Sequence, residues 1–273
     1  MEYLRSIKEI QPEDCYQTGG SRPVKVFCND WNEYICKYYT GKGFASGLFN
    51  EYLAASFLKL WKLAVPDFSF VQVQRDHLNQ VKFPFHYFKT PCYGSLFNHD
   101  YKEIDKFFLG YSFHDEQLLK LVPQFLKIGL FDIWLSNEDR NFNNMNLMLD
   151  VESINFIPID HVQVFNSNCL DKEPVQITED ESILTSPLMS KNFLRTLQQN
   201  CENLRTTSII EFSRDLSLCH ENLDKILQNV PPEWGVDSLF IQSRLSYYFS
   251  KEWQERSLST FFTYIQYALN RKP

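Results

Sequence analysis

Eleven consecutive residues, Ser136 to Asn146 (SNEDRNFNNMN), hold five asparagines and two carboxylates and follow directly on an apolar stretch. Asp139 precedes Asn144 by five positions. The chain reaches Pro158-Ile159-Asp160-His161 with Asp160 twenty-one positions after Asp139. Phosphoryl transfer uses groups of these kinds. One carboxylate accepts or orients a hydroxyl proton, while an amide oxygen and a second carboxylate hold Mg²⁺, a hard cation that takes oxygen ligands. A lysine on a strand neutralises nucleotide phosphates, and a glutamate on a helix keeps that lysine in place. A glycine-rich turn lets backbone N–H groups approach phosphates without side-chain obstruction. The sequence offers Lys37 within EYICKYY, Glu51 in the helical stretch that follows, and Gly19-Gly20-Ser21 ahead of the first strand.

These residues need elements to position them. A chain of 273 residues is one large domain or two lobes, with enough apolar content (44%) to build a core without metal or disulfide. Val24–Cys28 and Glu33–Tyr39 read as a hairpin around the turn residues 29–32. Leu48–Leu63 carries apolar residues at helical spacing and stops at Pro66. Phe68–Gln74 alternates as a strand, and Val81–Phe88 reads as its returning partner, with Pro84 marking an edge or a bulge. Residues 90–113 are irregular and read as the change of lobe. Beyond them, 116–122 and 124–135 are helical, with Pro123 as a kink or restart. The polar loop and a short hairpin (147–149, 155–159) follow, then helices over 188–200, 206–228, 236–249 and 251–270. The expected plan is α+β. Residues 1–100 form a β-rich N-lobe with one helix, and 101–273 form a helical C-lobe carrying the catalytic loop and a metal-binding hairpin. A ligand would sit in the cleft between lobes.

Composition narrows the function. A net charge of −7 argues against nonspecific binding to nucleic acid or to acidic membrane. No apolar run is long enough to span a bilayer, and MEYLRSIKEI lacks the apolar core of a secretion signal. Seven cysteines, odd in number and without C-x-x-C, read as reduced thiols of a cytoplasmic protein.

The order of these pieces resembles the kinase-like superfamily. Phosphoinositide lipid kinases have a similar D-R-x-x-x-N loop (here Asp139-Arg140 to Asn144) followed by I-D (here Ile159-Asp160). HipA-like kinases, bacterial serine/threonine kinases often found in toxin–antitoxin pairs, are similar over more of the chain, roughly residues 15–165. The shared pieces are the Gly/Ser loop, the turn before Y-I-C-K, the N-E-Y-L-A-A-S helix ending in V-P, and F-D-I-W-L-S-N-E-D-R. The resemblance implies a two-lobed protein-kinase-like fold using ATP and Mg²⁺. Asp139 would be the catalytic base, and Asn144 and Asp160 would bind Mg²⁺. Lys37 would contact the phosphates with Glu51 as its partner, and Gly19, Gly20 and Ser21 would form the phosphate loop. Ser21 is a candidate for autophosphorylation. The implied partners are a protein substrate with a Ser or Thr acceptor and an antitoxin-like regulatory protein. The chain has no basic helix, so any DNA contact would come from that partner.

The sequence departs from the pattern at Asn141, where lipid kinases and many HipA-like proteins carry His, a change that could slow chemistry. Its second metal motif reads I-D-H rather than D-F-G. A nucleotide-binding pseudokinase acting as a regulatory module therefore stands as an alternative, and a lipid or small-molecule kinase as a third that the acidic charge disfavours. Gly41-Lys42-Gly43-Phe44-Ala45-Ser46-Gly47 reads as a flexible linker, Arg140 as an ion-pairing brace of the loop, and His161 as a local hydrogen-bond partner.

Overall fold

The computed structural model describes residues 3–17, 22–41, 43–104 and 113–270. The chain divides into two compact units. The first comprises residues 1–53, 66–99 and 225–237; the second comprises 54–65, 100–224 and 238–273.

The first unit is built on a five-stranded sheet. Its strands are β1 (Leu4–Arg5), β2 (Val24–Phe27), β3 (Glu33–Lys37), β4 (Phe68–Gln72) and β5 (Cys92–Leu96), in the order β1-β4-β5-β3-β2. Only the β1–β4 pair is parallel. The expected hairpin is present, with Val24 opposite Cys36 and Phe27 opposite Glu33. Strand alternation sends Val24, Val26, Cys28, Cys36, Val71 and Cys92 into one buried cluster with Ile10, Leu78 and Phe88. Six cysteines of the described residues are free thiols. Burial raises the thiols of Cys36 and Cys92 and pushes that of Cys28 up to about 12, so these are inert core residues. Tyr52 packs on Phe68 and Phe70 and donates from its hydroxyl to the carbonyl of Ile226 at 2.9 Å. Trp234 packs edge-on to Phe70, and its indole N–H donates to the carbonyl of Pro91 at 2.7 Å.

The returning strand is displaced from where the sequence suggests it. Phe85–Phe88 forms a 3₁₀ turn, and β5 lies in the stretch expected to be irregular. Pro84 has no N–H to give a ladder, whereas Gly94 in β5 is required by packing. A Cβ on Gly94 would lie 2.8 Å from Val71 Cγ2 and 3.3 Å from Cys36 Sγ. Here glycine marks close approach rather than a turn.

Helix α1 (Ser46–Leu60) gives its first half to the first unit and its second half to the second. The second unit then holds β6 (Tyr101–Glu103), α2 (Asp115–Trp134), β7 (Leu147–Asp150), β8 (Asn155–Pro158) and α3 (Val164–Asn168). Helices α4 (Lys191–Gln199), α5 (Cys201–Gln228), α6 (Ser238–Tyr248) and α7 (Lys251–Asn270) complete the elements. Helix α2 continues through Pro123 as one element. The bond that Pro123 forgoes would have gone to the carbonyl of Leu119, an exposed residue where water can serve instead. The buried half of α2 is the axis of this core. Trp134 stacks on Trp61 at 5.6 Å, and Gly129 lets Leu184 approach to 2.5 Å of where a Cβ would stand. Gln124 fastens the hairpin to α2, accepting from the Phe156 amide at 2.9 Å and donating to Asn155 Oδ1 at 3.0 Å. The expected hairpin gains a third strand, β6, paired to β7. Among the described residues, no helix is long and apolar enough to cross a membrane.

Candidate active site

In the first unit, β3 presents Lys37 and the first half of α1 presents Glu51. The Lys37 ammonium is bonded to Glu51 Oε1. The glutamate side chain is only 4% exposed and that of Lys37 14%, so the pair is largely desolvated. Tyr93, opposite Lys37 in the neighbouring strand, has its phenol raised by burial and by the Glu51 charge. Removing one partner of a buried pair costs more than the pair contributes, because a charge is left uncompensated. Lys37→Met is therefore expected to lower unfolding free energy by about 3–5 kcal/mol. Adding Glu51→Gln should recover much of that loss. Urea melts of both variants check this, and equal stability of single and double variants would refute the coupling.

The second unit assembles the asparagine-rich loop. α2 ends at Trp134, and Ser136 takes a left-handed conformation (φ 51°) that turns the chain. The Asn137 side chain donates to Asp132 Oδ1 at 2.8 Å, and its amide donates to the Asp132 carbonyl at 2.8 Å. Asn141 closes the next turn. Its Oδ1 accepts from the amides of Asn143 (2.9 Å) and Asn144 (3.3 Å), and its Nδ2 donates to the Glu138 carbonyl (2.9 Å). The residue that departs from the family pattern is thus a loop brace.

Arg140, fully buried, organises the centre. Nη1 donates to the carbonyls of Asn146 and Ile159, both at 3.1 Å. Nη2 donates to the Ile159 carbonyl at 3.2 Å and lies 2.7 Å from His161 Nε2. A guanidinium can only donate, so Nε2 accepts and His161 is the neutral Nδ1–H tautomer. Arg140 Nε lies 3.2 Å from Asp132 Oδ2 as an ion pair. The expected roles of Arg140 as ion-pairing brace and His161 as local partner match this geometry.

The hairpin register sets the rest. The Ile159 amide donates to the Asn146 carbonyl at 3.0 Å, extending the β7–β8 ladder by one step. Asn144 and Asp160 therefore flank the same open end of the hairpin. Asp139 joins them, because its Oδ2 accepts from Asn146 Nδ2 at 3.0 Å. Asp139 and Asp160 are half-buried and Asn144 is exposed, so all three can meet a ligand. Asp160 (φ 55°) and Asn146 (φ 43°) are left-handed without being glycine. Such strain persists only where surroundings over-determine it, and it gathers at functional sites. Glu138 accepts from Ser167 Oγ, and burial together with Glu181 and Asp139 raises its carboxyl. The left-handed residues Phe165–Asn168 close back on the loop, with the Phe165 amide donating to the Leu135 carbonyl at 2.8 Å.

Among the described residues, no three of His, Cys, Asp and Glu cluster as a metal cage. What stands at the hairpin end is an amide oxygen and a carboxylate. That donor set suits Mg²⁺, which keeps several waters and binds through one or two carboxylates plus substrate phosphates. Gly19, Gly20 and Ser21 lie outside the described residues. Asn146, Asp132 and His161 were not among the residues assigned to the site from sequence. Asn146 sits in the same asparagine run, but a supporting amide there has no signal that separates it from its neighbours.

A family model described as HipA-like kinase matches residues 7–259. The chain is similar in structure to a Helicobacter pylori proinflammatory kinase, CtkA, at 15% identity and a TM-score of 0.53, with all of both chains covered. It is also similar to a chain of the Shewanella oneidensis MR-1 toxin–antitoxin complex of HipA, HipB and operator DNA. There the identity is 13% and the TM-score 0.47, over all of this chain and 75% of the other. No curated protein matches.

Proposed function

The chain belongs to the HipA-like kinase family and has a kinase-like α+β fold, and from that premise we propose an ATP- and Mg²⁺-dependent phosphotransfer to a Ser or Thr hydroxyl of a protein. The observation that supports this reading is the convergence on Arg140, which bonds the carbonyl of Asn146, the residue that bonds Asp139, and the carbonyl of Ile159, the residue before Asp160. Asp139 accepts the acceptor hydroxyl's proton and aims its oxygen; Asn146 fixes the carboxylate's rotamer for that task. Asn144 and Asp160 hold Mg²⁺, which when bound offsets charge on the phosphoryl oxygens. Lys37, oriented by Glu51, contacts the nucleotide phosphates, and Gly19, Gly20 and Ser21 supply the phosphate loop, with Ser21 as an autophosphorylation site. The residues of this chain thus act by positioning and electrostatics. By family membership, an antitoxin-like protein is the proposed regulatory partner, in the cytoplasm.

The test is transfer of γ-labelled phosphate, with and without EDTA, followed by phosphoamino-acid analysis. Mg²⁺-dependent phosphoserine or phosphothreonine is expected. A protein that ATP stabilises against heat without ever forming ADP or labelled product would instead be the pseudokinase that Asn141 leaves open. Absence of both effects would overturn nucleotide binding itself.

A further inference from the structure

We propose that Asp132 is a positioning residue: its buried carboxylate fixes Arg140, and Arg140 fixes the two segments that carry Asp139, Asn144 and Asp160. The effect on rate rests on the kinase reading above; the effect on loop order rests on geometry alone.

Asp132 lies in the last turn of α2, seven positions before Asp139 and fully buried. A carboxylate in such a place is expensive to desolvate and is retained only with compensation. Its Oδ1 accepts from Asn137 Nδ2, and its Oδ2 faces Arg140 Nε at 3.2 Å. That approach is too oblique for a hydrogen bond, so the attraction is one of charge. The other acceptors of Arg140 are neutral: two carbonyls and an imidazole. Asp132 is therefore the counter-ion that holds the guanidinium plane in the orientation serving all three. Those carbonyls belong to Asn146 and to Ile159. Asn146 bonds Asp139, and Ile159 precedes Asp160. The left-handed backbones of Asn146 and Asp160 stand beside the two carbonyls that Arg140 clamps.

Burial pushes the Asp132 carboxyl up to about 6, against the opposing pull of Arg140 and of the Asn137 amide. The groups facing it are these two, with neutral His161 on the far side of Arg140. A carboxyl raised in the folded state binds a proton more tightly there than in the unfolded chain. Falling pH through 6 therefore adds stability from this group while removing the counter-ion of Arg140. Stability and rate should move in opposite directions, which a merely structural carboxylate would not produce.

The experiment compares wild type with Asp132→Asn, which keeps the shape and removes the charge. Expected is a kcat lower by about 10²-fold with KM for ATP little changed, as for a misplaced catalytic group. The acid limb of the rate near pH 6 should disappear in the variant. Hydrogen exchange should quicken at the amides of Asn141, Asn144 and Ile159 and stay unchanged in α4 to α7. Leu197→Ala, which loses packing in α4, supplies a destabilised control that keeps its rate. A wild-type rate and pH profile in Asp132→Asn would overturn the proposal, as would exchange that quickens uniformly. If wild type transfers no phosphate yet Asp132→Asn loosens only those amides, the kinase reading falls and the positioning stands. Should Asp132→Asn not fold, the wild type decides: exchange at Ile159 must quicken between pH 7 and 5.5 once intrinsic rates are removed, and unchanged protection refutes the clamp.

Discussion

Asp139→Asn is expected to lower kcat for phosphate transfer by about 10³-fold, within the range for loss of a positioned general base. The substitution keeps the shape of the side chain and its place beside Asn146, whose Nδ2 donates to Asp139 Oδ2 in the native chain. What it removes is the negative charge that accepts the hydroxyl proton. Asp139 is half-buried, so the change should leave stability within about 1 kcal/mol. The rise in melting temperature given by ATP should survive, because the residues assigned to the phosphates, Lys37 and the loop at 19–21, are untouched. Transfer at the native rate by this variant would remove Asp139 from the mechanism, and loss of the ATP-induced shift would place it in nucleotide binding instead.

Much of this arrangement was legible because the chemistry sits on regular elements. The β2–β3 hairpin followed from alternation around turn residues, and with it came the strand position of Lys37. The helical spacing after Leu48 placed Glu51 on α1, one element later. The β7–β8 hairpin follows from two short apolar runs around a polar turn, and its register is what brings Asn146 opposite Ile159, the residue before Asp160. The failures have a common cause. Pro84 reads as the mark of an edge strand but precedes a 3₁₀ turn, and the stretch 90–113 reads as irregular although it holds β5, where Gly94 answers to tertiary packing. Pro123 does not restart the helix, because its missing bond falls at an exposed turn of α2. The Asp132–Arg140–His161 network was only half visible. Arg140 beside Asp139 suggested a brace, but the partner at 132 lies within an otherwise apolar helix, where one aspartate reads as a solvated residue.

Arg140 carries the largest expected effect on stability. Arg140→Met fills similar volume without a charge, and it strands the Asp132 carboxylate in a dry interior. Breaking a buried pair from one side costs about 3–5 kcal/mol, and the carbonyls of Asn146 and Ile159 lose their donors as well. The cost depends on pH with a definite sign. At pH 7.5 Asp132 must stay ionised or take up a proton at a penalty. Because its folded-state carboxyl already titrates near 6 with Arg140 present, and higher without it, the penalty shrinks as pH falls toward 5.5. Urea melts at the two pH values should show the variant closing part of its deficit in acid. The double variant Asp132→Asn/Arg140→Met should be more stable at pH 7.5 than Arg140→Met alone, a non-additivity expected of groups in contact. Arg140→Lys should not restore transfer, since an ammonium has no planar fork to reach Asn146, Ile159 and His161 at once. A pH-independent deficit, or a lysine variant with native activity, would mean that Arg140 acts as a packed charge alone. The order of Asp139 and Asp160 would then have to come from the left-handed turns at Asn146 and Asp160 without it.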